Sequence, residues 1–154
     1  MEIRLIQENE ITSLREMIIN TYTKSFKNIY PDSWIESCVG NQSVERLTNK
    51  LNNTHFYGAF TNDRIVGCGA IGSYWGKVDE SCLFSFCVDP NFQGQGIGKA
   101  ILNAIKQDAY FRKAKIVYCP SSIPALPFYL KNGFKHFNNQ LNYDDGSFLL
   151  QIKN

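Results

Sequence analysis

The sequence has little of several features that would assign a protein to a special class at once. Its 154 residues include only two histidines, His55 and His136, and its formal net charge is +2. So small an excess of positive charge gives no reason to expect a nucleic acid or a membrane surface as partner. Because zinc sites are built largely from histidine and cysteine in close sequence patterns, we expect no metal site.

Long apolar runs are missing as well. No run is long enough to span a bilayer, and residues 1–8 lack the apolar core of a signal peptide. The cysteines are odd in number and form no Cys-x-x-Cys pair. They are Cys38, Cys68, Cys82, Cys87 and Cys119. We therefore expect reduced core thiols in a cytoplasmic protein, with a disulfide or a catalytic cysteine as the less favoured alternatives.

What the chain does contain is an ordinary globular composition. Hydrophobic residues make up 44% of it, and there is no internal repeat, low-complexity tract or linker. A chain of this length can bury a substantial core. The sequence therefore predicts one domain over residues 1–154, with no indication of its oligomeric state.

A glycine-rich stretch between a strand and a helix organises the sequence. The apolar residues 82–88 predict a strand buried on both faces, and Pro90 ends it. Apolar residues then recur at helical spacing from Ile97 to Ala109. Between the two, Gly94, Gly96 and Gly98 allow sharp turns and a close approach to a ligand.

The start of the helix after these glycines predicts an anion site. No Ser, Thr or Asp stands where an N-cap is expected, so the first N–H groups of the helix lack side-chain partners. Free N–H groups at the positive end of a helix dipole bind phosphate. A Walker loop fails here, because Gln93 and Ala100 replace its first Gly and its Ser/Thr, and the dinucleotide fingerprint fails at Lys99.

Two segments resemble motifs of the GNAT acyltransferases. Residues 93–98, Gln-Gly-Gln-Gly-Ile-Gly, resemble the Gln/Arg-x-x-Gly-x-Gly/Ala loop with which these enzymes hold the pyrophosphate of acetyl-CoA. Residues 122–134 resemble the Ser/Asn-x-x-Ala-x-x-Phe-Tyr-x-x-x-Gly-Phe segment that follows the cofactor helix. Pro127 departs from that pattern and is expected to kink or shorten its helix.

The predicted order of elements agrees with the resemblance. It is strand, one or two helices, three strands, helix, strand, helix and two strands. The strands are predicted at residues 2–7, 56–61, 64–74, 82–88, 115–120, 134–137 and 147–152. We therefore expect an α/β protein with the GNAT fold, in which a mixed central sheet of about six to seven strands is flanked by about four helices.

The resemblance implies that acetyl-CoA is the acyl donor and that no metal is needed. Backbone N–H groups of the loop would hold the diphosphate, and Phe86 and Val88 would offer backbone groups to the pantetheine arm. A main-chain N–H nearby would polarise the thioester carbonyl. The predicted cofactor-binding residues are Phe86, Val88, Gln93, Gly94, Gln95, Gly96, Ile97, Gly98, Lys99, Ser122 and Phe128.

The same resemblance implies the two proton-transfer groups. Tyr129 occupies the position of the general acid, and a phenol of pKa about 10 can protonate a thiolate of pKa about 8.5 at a cost of about 2 kcal/mol. The position that aligns with the family's glutamate base holds Cys82. Glu80, two residues earlier on the same strand face, is the preferred substitute. The other acids near the acceptor side are Asp79, Asp144 and Asp145.

Three functions follow from these observations. The leading hypothesis is direct acetyl transfer from acetyl-CoA to a primary amine of a small molecule or peptide. A catalytically weak acyl-CoA-binding sensor module is the alternative, because the base position is occupied by Cys82. A nucleotide-dependent phosphotransferase is disfavoured by the failed Walker spacing.

The acceptor is expected to be cationic if the four acids converge on one opening. Asp79 and Glu80 precede the central strand, and Asp144 and Asp145 lie in a late polar loop. An acidic mouth would favour a positively charged amine and speed its encounter at low salt. The competing interpretation is that residues 144–146 form a solvent-facing hairpin turn.

Overall fold

The computed structural model describes residues 1–154 and contains one twisted eight-stranded sheet with helices on both faces. The strands are β1 (Glu2–Leu5), β2 (His55–Thr61), β3 (Arg64–Ser73), β4 (Glu80–Val88), β5 (Ile116–Ser122), β6 (Lys135–His136), β7 (Tyr143–Asp144) and β8 (Ser147–Lys153). The helices are α1 (Ile11–Ser25), α2 (Asp32–Gly40), α3 (Val44–Asn53), α4 (Ile97–Gln107), α5 (Ala109–Lys113) and α6 (Leu126–Lys131). This confirms the predicted α/β class.

The order of strands in the sheet is β1-β2-β3-β4-β5-β8-β6, with β7 paired to β8. All neighbours are antiparallel except β4 and β5. That parallel pair is short, because its register runs only from Glu80–Ile116 to Cys82–Tyr118. Beyond Cys82 the two strands share no register, so a gap opens in the middle of the sheet.

The two faces of the sheet are covered by different helices. Leu14, Met17 and Ile18 of α1 pack with Leu47 of α3 on one face. Ile97, Ile101, Leu102 and Ile105 of α4 pack on the other. The buried apolar side chains on each face supply most of the stabilisation, at about 1.5–3 kcal/mol for each large aliphatic group. The two helical layers thereby bury both faces of the sheet.

The structure has six helices where about four were predicted. One extra helix is α3, the third before β2, and the other arises because Asp108 divides what was expected to be one helix through Ala109. The Asp108 side chain accepts a hydrogen bond from the Tyr110 N–H and so caps α5 as a separate helix. Aspartate favours such a cap over continuing a helix, since its carboxylate competes for backbone N–H groups. The extra strand is β7, a two-residue arm of the hairpin with β8.

Pro127 does not kink α6. The helix is instead short, with six residues, and starts only at Leu126. Pro127 therefore stands in the first turn, where a missing N–H breaks no helical hydrogen bond. Ser122 remains in β5, and its hydroxyl accepts from the Ala125 N–H just before the helix. At the other end, Gly133 has φ +99 and the Phe134 N–H donates to the Tyr129 carbonyl, which ends the helix at Asn132–Gly133.

No helix of this structure combines the length and the apolar character needed to cross a membrane.

Candidate active site

The loop between β4 and α4 presents an unbroken series of backbone donors. None of the seven N–H groups from Gln93 to Lys99 donates to a protein acceptor. Gly94 (φ +78) and Gly96 (φ +82) adopt left-handed conformations, and a Cβ built on either meets no atom within 4 Å. These glycines are therefore required by backbone conformation, not by space. The N-terminus of α4 has no side-chain cap, so these donors are available to an anion.

The loop is anchored at its start to the end of the central strand. Asp89 is buried, and its carboxylate accepts from the Asn91 N–H and from Arg64. The Gln93 side-chain amide donates to the Val88 carbonyl at 2.9 Å. These bonds hold residues 89–93 against β4 and aim the free N–H groups at the adjoining cavity.

A bulge in β4 marks the middle of the site. Between the pairs Ala70–Phe84 and Cys68–Cys87, β4 advances three residues while β3 advances two. Ser85, with φ +50, and Phe86 have no register partner on β3, and β5 has already diverged. The extra residue also directs the Phe86 ring over Gly69, where a Cβ would lie 2.6 Å from that ring.

Two cavities meet at this bulge. The larger, of about 680 Å³, is bounded by the glycine-rich loop, the C-terminal end of β4, α6 and the end of α1, and we name it the cofactor cavity. The smaller, of about 300 Å³, is bounded by α1, α2, β5 and the β7–β8 turn, and we name it the acceptor cavity. Six residues line both: Tyr22, Phe26, Phe86, Ser122, Ala125 and Tyr129.

Position along β4 decides which cavity a residue lines. Ser85 lines only the acceptor cavity, Phe86 lines both, and Cys87 and Val88 line only the cofactor cavity. The bulge is thus the boundary between the two spaces. A group held in one cavity can meet a group held in the other beside Phe86 and Tyr129.

Most of the predicted cofactor residues come together around the cofactor cavity. Its lining includes Phe86, Val88, Gln93, Gly94, Gly96, Ile97, Gly98, Lys99, Ser122 and Phe128. Gln95 does not line it, and its side chain is exposed. Gly98 lies close to Phe128, since a Cβ there would be 3.3 Å from the ring, so this glycine permits contact between α4 and α6.

Several residues that line this cavity were not predicted from the sequence. Thr21 and Ser25 of α1 line it, as do Lys131 and Asn132 at the end of α6. Lys131 and Lys99 add positive charge near the free N–H groups. Thr21 and Ser25 could not be predicted as site residues from the sequence, because a single polar residue on an amphipathic helix is common.

Tyr129 lies at the junction, the place beside Phe86 where the two cavities meet, inside a cluster of aromatic rings. Its side chain is 3% exposed, and its ring packs edge-on against Phe86, Phe128 and Phe134 at centroid distances of 5.3–5.7 Å. Burial holds the pKa of Tyr129 well above its ordinary value, and the nearby Cys119 thiol acts in the same direction. At neutral pH the phenol therefore keeps its proton.

The structure does not bring Glu80 into this group. Glu80 lies at the start of β4, before the strands diverge, and lines neither cavity. Its carboxylate accepts from the Tyr118 hydroxyl at 2.6 Å and pairs with Lys77 at 3.0 Å, and these bonds lower its pKa. Cys82, at the family's base position, is buried, and burial raises the pKa of its thiol to about 12.

The four predicted carboxylates do not form an acidic mouth. Asp79 pairs with Lys115 at 3.6 Å and, like Glu80, lies at the far end of β4. Asp145 lines the acceptor cavity, whereas Asp144 does not. The expectation of convergence is wrong, because the cavity opens beside the second half of β4 and not beside its first residues.

Asp145 is held in place by an aromatic cluster. The Trp34 indole N–H donates to its carboxylate at 3.3 Å, and Trp34 stacks on Tyr30 at a centroid distance of 3.9 Å. The Tyr30 hydroxyl donates to the Gly146 carbonyl at 2.6 Å and accepts from the Ile123 N–H at 2.8 Å. Three distant segments therefore build one wall of the acceptor cavity.

Comparison with known proteins places this geometry in a family. The model of the acetyltransferase (GNAT) family matches residues 15–134. A spermidine N(1)-acetyltransferase of Thermoplasma acidophilum is 24% identical over 147 residues, with 88% of each chain covered.

Solved structures share the fold over the whole length. The PaiA N-acetyltransferase of Thermoplasma acidophilum, in complex with coenzyme A, has a TM-score of 0.86 at 21% identity and covers 99% of this chain and 98% of its own. A GNAT acetyltransferase of Staphylococcus aureus Mu50 has a TM-score of 0.76 at 18% identity, with 99% and 98% covered. The family match spans most of the chain, including the glycine-rich loop and Tyr129, and the chain belongs to the GNAT family of acetyltransferases.

Proposed function

We propose that this protein is an acetyl-CoA-dependent N-acetyltransferase that transfers the acetyl group directly to a primary amine. The observation that carries the proposal is the meeting of two cavities at Phe86 and Tyr129. One cavity has the anion-binding loop, and the other has polar and aromatic walls suited to a second substrate. A site of this kind favours direct attack between two substrates bound at once.

The lining of the cofactor cavity is chemically suited to coenzyme A. The free N–H groups of residues 93–99 suit a diphosphate, and hydrogen bonds to a charged oxygen contribute about 1.5–3 kcal/mol each. Lys99 and Lys131 supply positive charge at the rim. Acetyl-CoA contributes the activated thioester, and the bulge at Ser85 and Phe86, which have no register partner on β3, lies where a backbone N–H could polarise its carbonyl.

Tyr129 is the group that donates a proton to the leaving thiolate in this proposal. Its raised pKa keeps it protonated at neutral pH, and it lines both cavities beside Phe86. General acid catalysis contributes about 10²–10⁴-fold to rate.

The acceptor we propose is a cationic amine, with a polyamine as the first compound to test. The acceptor cavity contains the carboxylate of Asp145 and the rings of Tyr22, Phe26 and Trp34. Aromatic faces and a carboxylate together attract an ammonium group. A spermidine acetyltransferase among the relatives supports the same choice.

The test is thiol release by the purified protein with acetyl-CoA and a panel containing spermidine, a lysine peptide and glutamate. We expect release with the cationic amines and identification of an N-acetyl product by mass spectrometry. If calorimetry detects saturable acetyl-CoA binding but no amine is acetylated, the sensor alternative replaces the enzyme. Absence of acetyl-CoA binding would refute both.

A further inference from the structure

The residue that the proposed reaction leaves unexplained is Lys50. It lies in the last turn of α3, is partly buried, and forms none of the ion pairs in the structure. Its Nζ makes one hydrogen bond, to the Ser85 hydroxyl, at 2.5 Å. An ammonium has three donors, so a buried lysine with one partner and no carboxylate is costly in its charged form.

The partner of Lys50 occupies a particular place. Ser85 is the bulge residue that lines the acceptor cavity, and its neighbour Phe86 lines both cavities. Tyr129 lines the same acceptor cavity. Through the bulge, Lys50 is thus connected to the space in which the acceptor nitrogen must lie, although Lys50 itself does not line it.

The surroundings of Lys50 shift its titration toward the neutral amine. Burial lowers the pKa of Lys50. The titratable groups that face it are the thiols of Cys38 from α2 and Cys68 from β3, which oppose this shift but do not outweigh burial, and Tyr22 of α1 faces the same thiols. Burial raises the pKa of Cys38 and of Tyr22, so both stay uncharged at neutral pH and give no ion pair.

We propose that Ser85 and Lys50 form the proton relay that deprotonates the acceptor ammonium. This inference rests on the proposed function and names the base that the position of Cys82 does not supply. When Lys50 is neutral, the Ser85 hydroxyl donates to its Nζ. A proton then passes from the acceptor ammonium to the Ser85 oxygen while the Ser85 proton passes to Lys50, and the amine nitrogen gains the lone pair for attack.

The proton count closes over one turnover. The nitrogen of the ammonium loses two protons as the C–N bond forms and the C–S bond breaks. The first is held by Lys50 and then released to solvent. The second replaces the proton that Tyr129 gives to the thiolate. The products are an N-acetyl amide, the free thiol of coenzyme A and one proton.

The kinetic test uses Lys50→Met, Lys50→Arg and Ser85→Ala with the amine of the panel above that turns over fastest. We expect each to lower kcat/KM for the amine by about 100-fold at pH 7, since general base catalysis contributes at least that much. Arginine carries a permanent positive charge and cannot accept a proton in this range. Restoration of activity by Lys50→Arg would overturn the relay in favour of a purely electrostatic role.

The pH profile separates a relay from a structural contribution. In the variants, the rate should rise tenfold per pH unit up to the pKa of the free amine, because only unprotonated acceptor reacts. The wild-type rate should stop rising at a pH below the pKa of the free amine, because the relay removes the proton from the bound ammonium. Lys135→Met, at an exposed lysine of β6, is the matched control and should keep the wild-type profile. Parallel profiles for wild type and Lys50→Met would overturn the proposal.

A readout without substrates tests the same group. Because the pKa of Lys50 is lower in the folded state, the unfolded state binds more protons between the folded and unfolded values. Wild-type stability should therefore rise with pH toward about 10.4, the unfolded value. Lys50→Met should unfold at a higher temperature than wild type at pH 7, and the difference should shrink toward pH 10. A difference independent of pH would refute a perturbed Lys50.

These outcomes are distinct from failure of the proposed function. If wild type acetylates no amine while the stability difference still shrinks with pH, the acetyltransferase proposal fails and the perturbed lysine stands. If wild type acetylates amines and the Lys50 variants do so equally well, the relay fails alone.

Discussion

At the scale of single residues, Tyr129 and Asp145 have separable roles at the two sides of the junction. Tyr129 is buried among aromatic rings and lines both cavities, whereas Asp145 lines only the acceptor cavity. Substitution of each should therefore affect a different kinetic parameter.

Tyr129→Phe should reduce kcat by about 100-fold, because it removes the proposed general acid while keeping the ring that packs on Phe134. The dissociation constant for coenzyme A, measured by calorimetry, should stay within about twofold of wild type. Tyr110→Phe, on α5 and outside both cavities, is the control. Wild-type turnover in Tyr129→Phe would mean that water protonates the thiolate.

Asp145→Asn should raise KM for a cationic amine by about fivefold at low salt, since a partly exposed charge pair contributes at most about 1 kcal/mol. The asparagine keeps the shape of the side chain and tolerates the positive φ of 46 at this position. Asp144→Asn, which neighbours it but does not line the cavity, is the matched control. Equal KM values for the two variants would show that the carboxylate does not contact the acceptor.

At the scale of elements, the β4–α4 loop binds through its backbone. Seven consecutive N–H groups are free because Gly94 and Gly96 turn the chain with positive φ and α4 begins without a side-chain cap. Side chains matter here chiefly where they would obstruct, as at Gly98 beneath Phe128.

Gly96→Asp should weaken coenzyme A binding by more than about tenfold, because a carboxylate at the helix N-terminus opposes the diphosphate and a side chain is strained at φ +82. Gly76→Asp controls for the strain. Gly76 has φ +72 with open space around it, but lies in the β3–β4 turn. Calorimetry should separate the two variants, and equal affinities would place the diphosphate elsewhere.

At the scale of the whole molecule, the acceptor cavity depends on contacts between segments far apart in sequence. Tyr30 and Gly146 are separated by 116 positions and joined by one hydrogen bond. A Cβ at Gly146 would lie 2.7 Å from Trp34 and 3.0 Å from Tyr30. The wall therefore forms only when the β7–β8 turn and the start of α2 are both in place.

Tyr30→Phe should loosen this wall of the acceptor cavity without affecting the cofactor cavity. The variant leaves the Gly146 carbonyl and the Ile123 N–H without their partner, a loss of about 1–3 kcal/mol that lowers Tm by about 3 °C or more. KM for the amine should rise while the affinity for coenzyme A stays unchanged. Tyr143→Phe, at an exposed tyrosine whose hydroxyl makes no hydrogen bond, should change neither.

Local chemistry is what the sequence by itself determined. The strand, the glycine-rich loop and α4 are contiguous, so periodicity, proline and glycine sufficed to predict them. The loop binds through its own backbone, and its residues therefore carry the signal directly. The family pattern marked Tyr129 because it lies at a set distance from Gly133, whose positive φ ends α6.

Only the tertiary structure determined which residues come together at the acceptor cavity. One extra residue in β4 places Ser85 and Phe86 at the boundary of two cavities, and β4 itself contains no glycine or proline that would indicate a bulge there. Lys50 meets Ser85 across 35 positions, whereas Glu80 binds Tyr118 outside both cavities. A loop that binds through its own backbone needs only its own residues to form a site. Side chains from separate elements converge only when strand register and helix packing bring them together. Local sequence patterns do not specify that register or that packing.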